Sequence, residues 1–222
     1  MSRHKNVLSI IFSGALIFGG VSAFSYSSHA MQGFSDLVPA HSFANQVSED
    51  SAAGAKNFIG SMTERGINFL GNESLSDKQR AAEFKKLLRD SFDMKTIARF
   101  AIGKYWRTAN DAQKKEYLQL FEKMVISVYS RRFSEYGGQD LEVTGARGEG
   151  KADTMVSSKI VSSGSPTVKV DWRVRYKDGR YKVIDIMVEG VSMALTHRSD
   201  FSSVIQRGGG DIEVLLDHLR KS

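Results

Sequence analysis

The sequence predicts an α+β protein, a twisted antiparallel sheet of about four strands with helices packed on one face and an all-helical N-terminal half. Three observations carry this. Apolar residues recur at helical spacing through the first part of the chain, from about residue 45 to Gly137. The period changes to two after Gly138 and stays so to Val188. Helical spacing returns after Gly190.

Taken in order, residues 31–45 carry no periodicity and are expected to form an arm. Phe43, Val47, Phe58, Ile59 and Met62 mark a first helix from about 45 to 67, diluted by Gly54, Gly60 and Gly66. Ser76 followed by Gln79 has the form of a capping box. The helix it opens turns Phe84, Leu87 and Leu88 inward and Lys85, Lys86 and Arg89 outward. Ile97, Ala98, Ala101 and Ile102 continue the helical pattern until Gly103 interrupts it before Tyr105-Trp106. The segment capped by Thr108 or Asn110 and ended by Gly137-Gly138 is expected to be the longest helix. Its stripe of Leu118, Phe121, Val125, Val128 and Arg132 is widened by Tyr117, Leu120, Met124 and Tyr129, beyond what packing on one neighbour requires.

The strands are expected at "DLEVTGAR", "DTMVSSKIVS", "TVKVDWRVRY" and "RYKVIDIMVE", separated by turn residues that include Lys177-Asp178-Gly179. The third alternates cleanly. Val168, Val170, Trp172, Val174 and Tyr176 face one way, and Lys169, Asp171, Arg173 and Arg175 the other. Strict alternation in the fourth puts Tyr181, Val183, Asp185 and Met187 on one face. A helix from Val191 to Ile205, with Val191, Leu195, Val204 and Ile205 as its apolar face, is expected to cover the apolar sheet, with Gly190 and Gly208 as its hinges. Three glycines then lead to a last helix carrying Ile212, Leu215, Leu216 and Leu219. This order matches a cone of the NTF2-like or cystatin-like kind.

Composition limits the function classes. The 222 residues suffice for one good-sized core. Arg3, His4 and Lys5 precede an apolar stretch that ends in Ser28-His29-Ala30, and no charged residue occurs from Asn6 to Ser35. That order is read as a secretory signal over residues 1–30, followed by a single domain over 31–222. Removing the signal takes away Arg3 and Lys5 and no acid, so the formal charge falls from +6 to +4. So mild an excess does not argue for nucleic acid. The absence of cysteine excludes disulfides, thiolate chemistry and Cys-ligated metal, and suits a bacterial periplasm.

Chemical motifs are sparse. His41, His197 and His218 are the histidines left after export, and they lack metal-ligand spacing. No GxSxG, GxGxxG or GxxxxGK[ST] pattern occurs, so neither a catalytic serine nor a nucleotide cofactor is expected. Gly208-Gly209-Gly210 precede a helix, but Asp211 reads as its N-cap, and its charge disfavours phosphate there. Asp185, inside the apolar run "KVIDIMVEG", is the acid–base candidate, in the manner of an NTF2-like enzyme. Its structural alternative is an ion pair with Arg173 or Arg175 on the next strand. Glu189 is expected to hold backbone donors at the next helix start. What remains is bulk hydrophobicity with few chemical groups, which serves a filled core or the lining of an apolar cavity equally.

The segments "FDMKTIARFAIGKYWRTANDAQKKEYLQLFEKMVISVYSRRFSEY" and "VDWRVRYKDGRYKVIDIMVEGVSMALTHRSDFSSVIQRGGGDIEVLLDHLR" resemble the MlaC / toluene-tolerance family of lipid-binding proteins. The likeness rests on Tyr105-Trp106 after Ile102-Gly103-Lys104, on "EGVSM", and on the spaced pattern that follows it, in order from Phe84 to Leu219. It implies a monomeric periplasmic carrier, not an enzyme, that moves phospholipid between outer and inner membranes. The implied partners are an inner-membrane Mla-type ABC transporter and an outer-membrane lipoprotein. Lipid would be its cargo, with no cofactor. Relatives associated with hopanoid transport share much of the pattern.

The family pattern does not name ligand contacts, so the expected lining comes from periodicity. It is Trp106, Phe121, Val125 and Tyr129 from the helices, facing Val168, Val170, Trp172 and Val174 of the third strand. Val188 and Val191 extend it past the fourth. Arg131, Arg132, Arg198 and Arg207 are the candidate docking cations.

Overall fold

The computed structural model describes residues 49–221. The expected export signal and the arm after it lie outside the described residues. Helices α1 (Glu49–Leu70), α2 (Asp77–Ser91), α3 (Met94–Ile102), α4 (Tyr105–Thr108) and α5 (Asp111–Ser130) come first. Strands β1 (Asp140–Glu149), β2 (Asp153–Val161), β3 (Val168–Lys177), β4 (Arg180–Val188) and β5 (Val191–Ser192) follow, then α6 (Met193–Arg207) and α7 (Ile212–Arg220). The sheet is antiparallel with the strands in sequence order. The expected α+β class holds, with one strand more than expected. The added two-residue β5 forms because the turn at Glu189 (φ 50°) and Gly190 (φ 80°) folds Val191 back against Val188.

Local chemistry sets most helix starts. Ser76 and Gln79 form the expected capping box, and Asn110 with Gln113 forms another. Asp93, Ser192 and Asp211 cap α3, α6 and α7. Gly103, at φ 59°, ends α3 in a conformation that favours glycine. α5 stops at Ser130, short of Gly137-Gly138, and a 3₁₀ turn over Phe133–Glu135 follows. The 22-residue α1 is therefore the longest helix among the described residues.

Two cores result. α1 lies across the inner sheet face, where Ala55 and Ile59 pack with Val156, Val168, Val174 and Val183. The second core is all-helical and joins Leu88, Ile102, Tyr117 and Phe121 to Phe201 and Leu216. Phe84 and Phe92 pack against both. The layers are tied at one end, where the Asp93 amide donates to the Val183 carbonyl (3.0 Å). Lys182 Nζ donates there to the Arg89 and Asp90 carbonyls. The outer sheet face is charged, as expected. Arg175 forms a bidentate pair with Asp153 (2.7 and 3.0 Å), and Arg173 meets Glu149 at 3.3 Å.

One register feature overturns the strict alternation expected of β4. Arg173 faces Asp185 but Val174 faces Val183, so Ile184 is a bulge. The extra residue switches the faces. Val183 points inward before it, and Ile186 and Val188, aligned with Trp172 and Val170, do so after it. α6 also differs from expectation. Ala194, Phe201 and Ile205 are its buried residues, while Val191 and Leu195 are 44% and 57% exposed. The helix packs chiefly on α3, α7 and the end of β4 rather than across the sheet.

Candidate lipid-binding site

The two cores part around a cavity of about 330 Å³. Met62, Gly66, Ile67 and Leu70 of α1 form one wall, with Phe84 and Leu87 of α2 beside them. Phe121, Val125 and Tyr129 of α5 form another. Trp172 and Ile186 supply the floor, and Met193, Ala194 and His197 of α6 close the far end. A second cavity of about 240 Å³ continues from it, since both are lined by Ile67, Leu70, Phe84, Tyr129, Phe133 and Leu141.

The cavity exists because particular residues hold the layers close in one place and leave space in another. At Gly54 a Cβ would run into the Tyr181 hydroxyl, so glycine lets α1 settle on β4 there. Three turns on, Gly66 borders the cavity, and a Cβ would meet only Leu87 Cδ1 at 3.9 Å. Trp172 is held upright by its ring N–H, which donates to Ser158 Oγ (2.9 Å), and Ser158 Oγ donates to the Val170 carbonyl (2.8 Å).

Few polar groups reach this space. Asp185 lies at its edge with its carboxylate occupied: Oδ2 accepts from Ser192 Oγ (2.6 Å), and Oδ1 from the amides of Ala194 (3.0 Å) and Ile186 (2.8 Å). It anchors the start of α6. The expected pairing with Arg173 or Arg175 does not form, because the bulge swings Asp185 to the helix terminus while those arginines are taken by Glu149 and Asp153. Glu189 likewise does not hold the α6 start. Its carboxylate accepts from the Lys169 amide (2.6 Å) and ties the β4 turn to the start of β3. His197 stacks on Phe201 and meets Phe121 edge to face, at 5.7 and 5.9 Å between ring centres. Burial pushes its pKa below the usual imidazole value, against the pull of Asp200 and Asp185. Burial pushes the Tyr129 phenol up. No cluster of metal-ligating side chains occurs among the described residues.

Of the residues expected to line a pocket, Phe121, Val125, Tyr129 and Trp172 border the cavity. Val168, Val170, Val174 and Val188 are buried in the sheet-side core, where α1 covers the inner sheet face. Trp106 packs at the edge of the helical core, with Arg99 and Lys114 at 5.9 and 5.8 Å from its ring. The turn at Gly103 directs Tyr105 inward and sets Trp106 beside it. Val191 points outward from β5. Sequence reasoning missed the α1 wall, although Met62 was placed on that helix's apolar face and Gly66 marked the gap in it.

An α+β fold whose cores separate around an apolar cavity defines a protein shaped to enclose an apolar molecule. The model of the MlaC protein family matches residues 61–221, and the chain belongs to that family. The toluene tolerance protein ttg2D of Pseudomonas putida is 24% identical over 114 residues, 51% of this chain and 53% of the relative. The intermembrane phospholipid transport system binding protein MlaC of Haemophilus influenzae is 20% identical over 125 residues, 54% and 58% of the two chains. These matches span little more than half the length of either relative. The phospholipid-binding protein from Ralstonia solanacearum, solved in complex with a phospholipid, superposes with a TM-score of 0.65 at 21% identity, over 75% of this chain and 95% of that one. It shares the fold.

Proposed function

We propose that this chain is a periplasmic carrier of phospholipid, exported by cleavage near Ala30, that holds acyl chains in the cavity and delivers them within a transport system of the Mla type. An inner-membrane ABC transporter and an outer-membrane lipoprotein are its partners in this reading, and the chain acts as a monomer. The observation that carries it is the apolar space enclosed by α1, α5, α6 and Trp172. Acyl chains gain about 0.8 kcal/mol per CH₂ on leaving water. Such a lining therefore favours them without a strong polar anchor. The family and the phospholipid in the Ralstonia relative point to the same ligand class. The hydrogen bonds that occupy Asp185 support a structural role for it rather than an acid–base one.

Mass spectrometry of organic extracts from the purified protein tests this. Phospholipid at roughly one molecule per chain is expected. Extracts that hold hopanoid alone would replace the ligand assignment, and extracts with neither would end the carrier reading.

A further inference from the structure

Two of the helices that wall the larger cavity are α3, through Met94 and Ile97, and α6, through Met193, Ala194 and His197. Away from the cavity they carry charge of one sign. From Met94 to Asn110 the chain has Lys95, Arg99, Lys104 and Arg107 and no acid. All four are exposed, as is Arg198 of α6. None of these cations is in an ion pair among the described residues, whereas Arg147, Arg173 and Arg175 of the sheet each meet a carboxylate. Short distances join the face across three elements. The Arg198 guanidinium lies over Phe100, 5.1 Å from the ring centre, and its Nε would stand 3.1 Å from a Cβ at Gly103. Lys104 follows directly, its Nζ 5.2 Å from the Tyr105 ring, and Arg99 lies 5.9 Å from the Trp106 ring. Exposed apolar groups stand among the cations. Phe100 is 40% exposed, and Leu195, one turn before Arg198 on α6, is 57% exposed. Lys114, 5.8 Å from Trp106, borders the face and is held by Asp111.

We propose that this face, with Lys95, Arg99, Lys104, Arg107 and Arg198 set around Phe100 and Leu195, docks the protein on an anionic lipid bilayer. The inference goes beyond the carrier reading and rests on it only for what docking is for. A bilayer offers phosphates at no fixed spacing, which suits long cations that no carboxylate locks in place. Their aliphatic stems lie along the apolar patch while the charged ends stay at the level of the phosphates. Phe100 and Leu195 enter between headgroups and add the burial of apolar surface to the attraction of charge. An acidic protein surface would answer the same charge. The bilayer is favoured because the helices that carry the cations also wall the cavity, so docking here sets the apolar space beside the lipid it takes up or gives back.

The test is sedimentation of the purified protein with two kinds of vesicle, phosphatidylcholine alone and phosphatidylcholine with phosphatidylglycerol in equal parts. Binding is expected on the mixed vesicles, falling toward the level of the neutral ones in about 1 M salt, where charges are screened within about 3 Å. Each cation brought to an anionic surface strengthens binding about five-fold, so Lys104→Gln with Arg198→Gln should weaken it roughly 25-fold. Both side chains are exposed, and the far-ultraviolet circular dichroism of the double variant should match the wild type. Leu195→Ser should weaken binding to the mixed vesicles at every salt concentration. Equal binding to the two kinds of vesicle, or a double variant that binds as the wild type does, overturns the inference. A double variant that binds vesicles normally yet fails to deliver lipid to the transporter gives the face to an acidic protein surface instead. Lipid extracted from the same preparations keeps the two readings apart. Its absence defeats the carrier reading, and its presence without vesicle binding defeats only the docking face.

Discussion

Trp172 belongs to the sheet and to the cavity wall at once, and Ser158 is what holds it there. Both are buried. Ser158→Ala would leave the indole N–H without its acceptor, at a cost of about 1–3 kcal/mol. Urea unfolding is expected to show that loss. Trp172→Phe in the Ser158→Ala background should recover part of it, because no donor is then stranded. Asp185 carries a second residue-scale expectation. Asp185→Asn weakens the α6 start by about 1 kcal/mol, read as a lower urea midpoint, while bound lipid is unchanged. A collapse of lipid content with no change in midpoint would point to a direct role for the carboxylate. His197 makes the protein sensitive to mild acid. Its folded pKa is depressed, so the unfolded chain binds the proton more readily. Stability is complete above about pH 6.5 and declines as pH falls from there through the folded value. The raised Asp200 carboxyl works the other way at lower pH, where the folded chain holds the proton more tightly. Unfolding midpoints between pH 7.5 and 5.5 should fall for the wild type and stay flatter for His197→Leu.

At the scale of the element, α1 decides whether the cavity exists. Its glycines have opposite uses. Gly54 sits against Tyr181, so Gly54→Val must lift the helix from the sheet or move the ring. Overpacking of that kind costs about 1–3 kcal/mol, expected as a lower midpoint in urea. Gly66 sits inside the helix facing open space. Gly66→Leu should raise stability by about 0.5–1 kcal/mol through helix propensity while its side chain fills the cavity and reduces bound lipid. More stable yet emptier protein is an outcome that simple damage to the fold cannot produce. The α1 wall was half legible in the sequence. The apolar face that includes Met62 showed in the spacing, but helical periodicity does not say whether the facing surface fills the gap. The β4 bulge at Ile184 was not legible, because each residue of "KVIDIMVE" suits a strand on either face.

For the whole molecule, the arrangement of two cores with a shared boundary explains how a chain of this size encloses a ligand without losing its fold. The sheet core under α1 keeps Ala55, Ile59, Val156, Val168, Val174 and Val183 away from the cavity, and the helical core does the same with Ile102, Tyr117, Phe201 and Leu216. Phe84, Phe92 and the Lys182 contacts hinge them at one edge. Emptying the cavity is therefore expected to leave these inner parts of both cores in place. Removing bound lipid is expected to lower the thermal midpoint while the far-ultraviolet circular dichroism stays unchanged, since binding adds to stability by mass action.

The sequence by itself determined the class of fold, the helix caps at Ser76 and Asp211, the charged outer sheet face and the family, because each depends on neighbours a few residues apart or on ordered motifs. Capping boxes, period-two strands and glycines at positive φ are local matters. Only the tertiary structure decided which apolar residues face a cavity and which face one another. Periodicity turns Phe121, Val125 and Val170 alike toward the interior, yet the first two border the cavity and the third is buried in the sheet-side core. That difference is made by what stands opposite each side chain, and it is set by a bulge, a glycine against a tyrosine and the angle of one helix on one sheet.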